Sequence, residues 1–232
     1  MNFLRWLAGN QHLRYLWIPY TDAVVVVLCN PITAFNMPKS TTPKYSPLEQ
    51  TSAIRGLIMS KAVDGVVQEH TEEQLQELSF TDLRGMALAL APFDLAWLKK
   101  VNAAEADFWK KASGVRVGWS DQILGFDCGG QQWVLEVALP TGTLAQSSLA
   151  DLNFIQDVLK LIERHKFLAA APIEHRWTAA SSSYLSPAYS AHKEDVFSWL
   201  GIISYMPTDD PTIRDAITKK YANKQSSYHC RR

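Results

Sequence analysis

Two kinds of apolar periodicity are interspersed along this chain without a repeating unit, and this mixture constrains the fold more than any other feature. Apolar residues three and four positions apart predict amphipathic helices from Pro92 to Ser113 and from Ser147 to His165. β-Branched and aromatic segments predict strands at 23–28, 115–119, 131–137, 171–179 and 196–206. Because no strict βαβ rhythm links these elements, we predict an α+β layer fold.

Capping residues predict where further helices begin. Ser46-Pro47 should open a helix over 48–62, and Thr71 and Ser79 can each cap another. The segment from Thr208 to Pro211 predicts the start of a last helix. The run Ala23–Leu28 is dense in valine, which is typical of a strand buried on both faces. The segment after residue 220 has no apolar periodicity, so we expect 221–232 to be a loose tail.

Composition excludes several classes of function. The formal net charge is zero, so no basic excess is available to hold nucleic acid by its phosphates. The longest apolar runs are far shorter than the ~20 residues of a transmembrane helix. Three cysteines, Cys29, Cys128 and Cys230, have no metal-ligand spacing, which favours free thiols and predicts neither a metal site nor a disulfide framework. No glycine-rich phosphate-binding motif occurs in the sequence.

Glu174 and Arg176 are the candidate functional pair. Residues two apart in a strand point to the same face, so these two side chains should project together while His175 and Trp177 point away. A carboxylate accepts hydrogen bonds and a guanidinium donates a fixed fork of them, so the pair could hold a hydroxylated or carbonyl substrate. On pattern alone, an ordinary cross-strand ion pair on a solvated sheet face is the more common explanation of such residues.

Several blocks of the sequence resemble a known family. The segment Ala171–Ala179, which reads APIEHRWTA, resembles the PIEQRWTA segment of the plant-type galactonolactone dehydrogenases. Blocks beginning at Arg14, Glu77, Val117 and Asp195 agree in the same order, so the resemblance runs from about residue 3 to 220. The chain is therefore identified with the aldonolactone oxidoreductases of the vanillyl-alcohol oxidase group of flavoproteins.

The resemblance implies a fold, an activity and site residues. It implies an antiparallel sheet with helices packed on it, forming the substrate domain over residues 1–220. The family oxidises L-galactono-1,4-lactone to L-ascorbate with FAD, passes electrons to cytochrome c at the mitochondrial inner membrane on the intermembrane-space side, and associates with complex I assembly. Glu174 and Arg176 would be its catalytic, substrate-binding pair, and Cys128 would be its oxidation-sensitive thiol.

Two departures from the family pattern qualify that expectation. His175 stands where the family has glutamine, but it should point away from the pair and be tolerated. No counterpart of the family's FAD-binding domain is found in the sequence, so the chain is expected to be inactive by itself. Two functions stay open: part of an FAD-dependent dehydrogenase, or a non-catalytic lactone-binding or assembly module. A hydrolase that uses Glu174 with Asp127 has no supporting spacing.

Overall fold

The computed structural model describes residues 2–32, 44–63, 70–124 and 131–229. Its elements mix helices and strands as the periodicities predicted, and the α+β class is confirmed. In chain order they are α1 (Asn2–Gly9), β1 (His12–Trp17), β2 (Val24–Cys29), α2 (Pro47–Val63), α3 (Glu72–Gln76), α4 (Phe80–Leu90), α5 (Leu95–Lys111), α6 (Ser120–Leu124), β3 (Gln132–Thr143), α7 (Ala150–His165), β4 (Ile173–Ala179), β5 (Asp195–Tyr205) and α8 (Pro211–His229).

The chain divides into two compact units, and the first contains most of the sheet. Its five strands lie in the order β2-β1-β4-β5-β3. β1 pairs antiparallel with β2 and with β4, and β4 pairs antiparallel with β5. β4, which carries the candidate pair, is therefore the central strand, with a hydrogen-bonded neighbour on each side.

One face of this sheet is covered by helices. Phe3 of α1 packs against Trp177, with ring centroids 4.8 Å apart, and Trp177 packs against Tyr15 of β1 at 5.1 Å. Leu149 and Leu152, at the start of α7, join the same cluster. Fully burying an apolar side chain of this size contributes roughly 1.5–3 kcal/mol, so this cluster fixes which face of β4 is turned inward.

The second unit consists mainly of helices. α2 packs against both α4 and α5, around buried Ile54, Leu83 and Val101. A buried ion pair joins Arg84 of α4 to Glu105 of α5, with Nη1 and Oε1 3.1 Å apart. None of the described helices is long and apolar enough to cross a bilayer.

The predicted helix starts are confirmed by the caps. The Thr71 and Ser79 side chains each accept from the backbone N–H three residues on, and each closes a capping box. Asp94 caps α5 by accepting from the N–H groups of Ala96 and Trp97. Each such cap satisfies backbone donors that the first helical turn leaves free, which explains why these short polar residues mark helix starts reliably.

Two strand predictions were wrong in part. The valine-rich run forms β2, but β2 is an edge strand with Val24 and Leu28 exposed, not a strand buried on both faces. A valine-rich composition indicates a strand, but it does not determine whether that strand lies at the edge or in the centre of the sheet. Residues 115–119 form no strand. This segment has the composition of a strand, but it pairs with no strand in the described part of the chain, and Trp119 is 78% exposed.

The last helix extends further than the sequence predicted. α8 continues to His229, through part of the segment 221–232 that we expected to be loose. Helix formation needs good helix formers such as Ala222 and does not strictly require an apolar stripe, which explains why the missing periodicity was a poor guide here. Within the predicted domain 1–220, the structure separates the sheet unit from the helical unit.

Candidate lactone-binding site

The register of the sheet places Glu174 and Arg176 on one face of β4. Glu174 lies opposite Leu16 of β1 and Gly201 of β5, and Arg176 lies opposite Arg14 and Trp199. Directly opposed residues of antiparallel strands share a face, so these positions form one continuous surface. The same-face prediction for the pair is confirmed. The alternative, that these residues form ordinary cross-strand ion pairs, also agrees with the structure, because Glu174 pairs with Arg14 of β1 and Arg176 pairs with Glu136 of β3.

Glu174 is a buried carboxylate with a cation beside it. The residue is 3% exposed, and its Oε1 lies 3.4 Å from Nη1 of Arg14. Burial raises the pKa of the Glu174 carboxyl above its ordinary value, while the charges of Arg14 and Arg176 act in the opposite direction. Desolvation makes a carboxylate a stronger hydrogen-bond acceptor, because it no longer exchanges that bond with water.

Arg176 keeps its guanidinium accessible. Its side chain is 41% exposed, and Nη2 and Nε donate to Oε1 of Glu136 on β3, at 2.7 and 3.3 Å. The guanidinium also lies over the ring of Trp199, 5.4 Å from its centroid. Two contacts therefore orient the fork of donors without burying it, and its remaining N–H groups can bind a ligand oxygen.

Gly201 lies beside the carboxylate. A Cβ at this position would lie 3.6 Å from Cβ and 3.9 Å from Oε2 of Glu174, which is ordinary van der Waals contact. Gly201 is itself buried, so the backbone of β5 packs closely against the Glu174 side chain.

The opposite face of β4 is dry and hydrogen-bonded. Nε2 of His175 lies 3.1 Å from Oδ2 of Asp151 and 2.7 Å from Oγ of Ser198, and Trp177 Nε1 donates to the same Oδ2 at 2.7 Å. All three partners of this network are buried, and His175 is fully so. The sequence prediction that His175 points away from the pair is confirmed, and the histidine proves to be a core residue.

The charge state of this network follows from its geometry. Burial lowers the pKa of His175 below its ordinary value, against the opposing effect of Asp151. Burial opposes ionisation of Asp151, but hydrogen bonds from His175 and Trp177 dominate and lower its pKa. A charged Asp151 needs donors, so Nε2 of a neutral His175 carries the proton. Nδ1 of His175 has no partner among the described residues, which disfavours a second proton there.

The buried Asp151, His175 and Ser198 do not form a hydrolytic triad. In such a triad the carboxylate and the serine bind different ring nitrogens of the histidine. Here both lie on Nε2, and Ser198 has no exposed surface. The arrangement is a structural one that holds the central strand against α7.

Comparison with known proteins identifies the family. The family model described as D-arabinono-1,4-lactone oxidase matches residues 1–226. The chain belongs to this family. Among its curated relatives, an Arabidopsis thaliana protein named "L-galactono-1,4-lactone dehydrogenase, mitochondrial" is 50% identical over 227 residues, covering 95% of this chain and 37% of that protein. The Oryza sativa subsp. japonica protein named "L-galactono-1,4-lactone dehydrogenase 2, mitochondrial" is 48% identical, covering 97% of this chain and 39% of its own length.

The chain thus spans less than two fifths of the length of these two curated relatives. Among solved structures, a variant of cholesterol oxidase from Brevibacterium sterolicum matches with a TM-score of 0.35 and 13% identity. That match covers 98% of this chain and 42% of the other.

None of the other residues named from the sequence is among the described residues on the face of β4 that carries Glu174 and Arg176. Cys128 and Asp127 lie outside the described residues, so the redox-sensitive role of Cys128 stays a prediction. Cys29 is a free thiol on the edge strand β2. Over the described ranges, no group of three His, Cys, Asp or Glu residues could hold a metal ion.

Sequence reasoning missed two residues of the site. Arg14 contacts Glu174 across 160 positions of sequence, and Glu136 holds Arg176 from a strand 40 positions earlier. The one signal for Arg14 was a cation in an otherwise apolar and aromatic strand segment, HLRYLW. A cation in such a strand indicates that it has a partner. The identity of the partner depends on the order of the strands in the sheet, which cannot be predicted from a local sequence pattern.

Proposed function

We propose that this chain forms the substrate side of an FAD-dependent aldonolactone dehydrogenase that oxidises L-galactono-1,4-lactone to L-ascorbate. One observation carries the proposal: a desolvated carboxylate, Glu174, and an accessible guanidinium, Arg176, lie side by side on one face of the central strand. Membership of the lactone oxidase family, together with relatives named for this substrate, supports the choice of ligand.

Each residue of the pair has a distinct role in this proposal. Glu174 accepts a hydrogen bond from a hydroxyl group of the lactone. Arg176 donates to a lactone oxygen and orients the ring. Because both side chains are held by neighbouring strands, the lactone would bind to a preorganised surface, which reduces the entropy lost on binding.

The residues of this face also fit a flavin that becomes anionic. Arg14 and Arg176 place two guanidinium groups on the face that carries Glu174. Cations fixed beside a ring system stabilise negative charge that develops on it, and we assign this role to Arg176. FAD, when bound, supplies the electron-accepting chemistry. Its phosphates would be held by residues other than this face.

The resemblance to the family supports a proposal for the electron acceptor and the cellular location. We propose cytochrome c as the acceptor and the mitochondrial inner membrane, on its intermembrane-space side, as the location. The word "mitochondrial" in the names of the relatives supports the organelle. We also propose Cys128 as a redox-sensitive thiol, and an association with complex I assembly as a secondary role.

Lactone binding by this chain tests the role of the pair. A ¹⁵N-labelled chain would be titrated with L-galactono-1,4-lactone while the amide signals of β4 and β5 are followed. We expect saturable shifts around Glu174 and Arg176 that disappear in Glu174→Gln. Arg164→Gln, an exposed cation on α7, is the matched control and should bind as the wild type does. Shifts that are absent, or equal in both variants, would refute the pair as the lactone site.

A second experiment separates the enzyme from a non-catalytic lactone-binding module. The native polypeptide, purified from its source, would be examined for flavin absorbance and for its size. A yellow protein well above the 26.1 kDa of this chain supports the dehydrogenase. A colourless protein of this size supports the module and overturns the catalytic proposal.

A further inference from the structure

Two arginines lie opposite each other on β1 and the central strand β4. Arg14 on β1 and Arg176 on β4 are direct cross-strand partners, an arrangement that is destabilising for residues of the same charge. The structure provides a separate carboxylate for each: Glu174 lies beside Arg14, and Glu136 lies beside Arg176. The result is a row of alternating charges along one face of the sheet.

The two ion pairs of this row differ in burial. The Glu174 side chain is 4% exposed and that of Arg14 is 27% exposed, whereas the Arg176 and Glu136 side chains are 41% and 30% exposed. An exposed pair contributes little, because water and salt screen it. A buried carboxylate depends strongly on its partner, because removal of the cation leaves a desolvated charge uncompensated.

Arg14, and not Arg176, is therefore the cation that directly contacts Glu174. Its guanidinium donates to Oε1, while Arg176 is turned towards Glu136. After burial, which raises the pKa of Glu174, the charge of Arg14 is the largest influence in the opposite direction, and the charge of Glu136 acts together with burial. The charge of Arg176 lowers the pKa of Glu174 as well, and the weaker effect of Glu136 partly cancels it.

We propose that Arg14 is the positioning residue of the lactone site: it fixes the direction of the Glu174 carboxylate and keeps it ionised, so that it can accept a hydrogen bond from a lactone hydroxyl. This inference rests on the proposed function for the identity of the ligand. Arg14 acts through Glu174 and does not itself contact the lactone. An ionised carboxylate is acceptor-only, whereas a protonated one would turn one oxygen into a donor and change the contact.

A carboxyl titration tests this role without any lactone. Glutamate side chains labelled with ¹³C at Cδ would be followed by NMR as pH is varied, and the signal of Glu174 would be assigned by its loss in Glu174→Gln. Arg14→Gln is expected to raise the pKa of Glu174 above that of the wild type. Arg14→Lys, which keeps the charge, is expected to restore it in large part. A pKa of Glu174 that does not rise in Arg14→Gln would overturn the proposal.

Glu136→Gln is the matched control for this titration. It removes the other charge of the row, so it should leave the pKa of Glu174 unchanged or lower it. A rise equal to that of Arg14→Gln would mean that any disturbance of the sheet face has this effect. The wild type gives a second readout: the Arg14 Nε–H shift should follow the titration of Glu174. Its independence of that titration would overturn the proposal even if Arg14→Gln failed to fold.

Lactone affinity then connects the titration to function. The affinity for L-galactono-1,4-lactone of the wild type, Arg14→Gln and Arg14→Lys would be measured at pH 6 and pH 8. We expect Arg14→Gln to lose about tenfold more affinity than Arg14→Lys between pH 8 and pH 6, where tenfold corresponds to about 1.4 kcal/mol. Equal losses would overturn the role of the charge. If the wild type binds no lactone, the proposed function fails, while the carboxyl titration still decides whether Arg14 positions Glu174.

Discussion

His175 Nε2 and Asp151 Oδ2 lie 3.1 Å apart with neither side chain exposed, directly behind the face of β4 that carries Glu174 and Arg176. The pKa values of both residues are lowered, which a buried ion pair would not produce for the histidine. A neutral His175 imidazole that donates a hydrogen bond to a charged Asp151 carboxylate accounts for both lowered pKa values. The folded chain therefore favours the unprotonated form of His175.

This charge state predicts a pH dependence of stability. His175 has a lowered pKa in the folded chain and its ordinary value of 6.5 in the unfolded chain. Below pH 6.5 the unfolded state takes up a proton that the folded state does not. The free energy of unfolding should therefore decrease as the pH is lowered, by up to about 1.4 kcal/mol per pH unit. Urea unfolding between pH 5 and pH 8 measures this slope. His175→Gln should remove it, and an unchanged slope in that variant would contradict the assignment.

The hydrogen bond from Trp177 to Asp151 should contribute measurably to stability. Trp177→Phe keeps most of the ring packing but leaves the buried carboxylate with one donor fewer, which should cost about 1–3 kcal/mol. Trp133 provides the matched control, because its Nε1 donates to Thr218 at 3.0 Å on an exposed surface. Trp133→Phe should change stability by less than about 0.5 kcal/mol. Chemical denaturation of both variants makes the comparison, and similar losses would count against the buried network.

The Arg84–Glu105 pair should be costly to break from one side. Glu105 is 1% exposed, so Arg84→Met would leave an uncompensated buried carboxylate and should cost about 3–5 kcal/mol. The double variant Arg84→Met with Glu105→Leu should regain most of that loss, because neither charge remains. Lys160→Ala, which breaks an exposed pair with Asp157, should have almost no effect. A double variant as unstable as the single one would disprove the explanation.

The two sides of β4 should respond differently to substitution when lactone binding is measured. Arg176→Ala removes a charged donor from the open face and should weaken the affinity for L-galactono-1,4-lactone by about tenfold to a hundredfold, from about 1.5–3 kcal/mol per charged hydrogen bond. His175→Gln alters only the covered face and should bind within about twofold of the wild type at pH 8. Calorimetric titration of both variants decides the matter; comparable losses would mean that the two faces are not independent.

The local patterns of the sequence predicted most elements but not their neighbours. The caps at Thr71 and Ser79 act within three residues, so the starts of their helices could be predicted from the sequence. The valine-rich strand β2 was recognised, yet its place at the sheet edge depends on which strand pairs with β1. Trp119 lies in a segment with strand composition and no partner strand, a condition that no local window can detect.

The same limit applies to the candidate site: its local residues could be predicted from the sequence, but their partners could not. Strand alternation placed Glu174 and Arg176 together and turned His175 away, because the period of two is a property of the backbone. Their partners could not be found in this way. Arg14 and Asp151 reach β4 through the register of β1 and the packing of α7, which are set by contacts between distant parts of the chain.

The alternation along β4 has a consequence for how this segment can change. Four consecutive residues, Glu174 to Trp177, alternate between the face proposed to bind the lactone and the face packed in the core. Loss or gain of a single residue in this stretch would exchange the two sets, moving charges into the core and the histidine and indole to the open side. The segment can therefore vary by substitution, as at residue 175, but not in length. We expect the length of β4 to be a better identifier of this family than its amino-acid sequence.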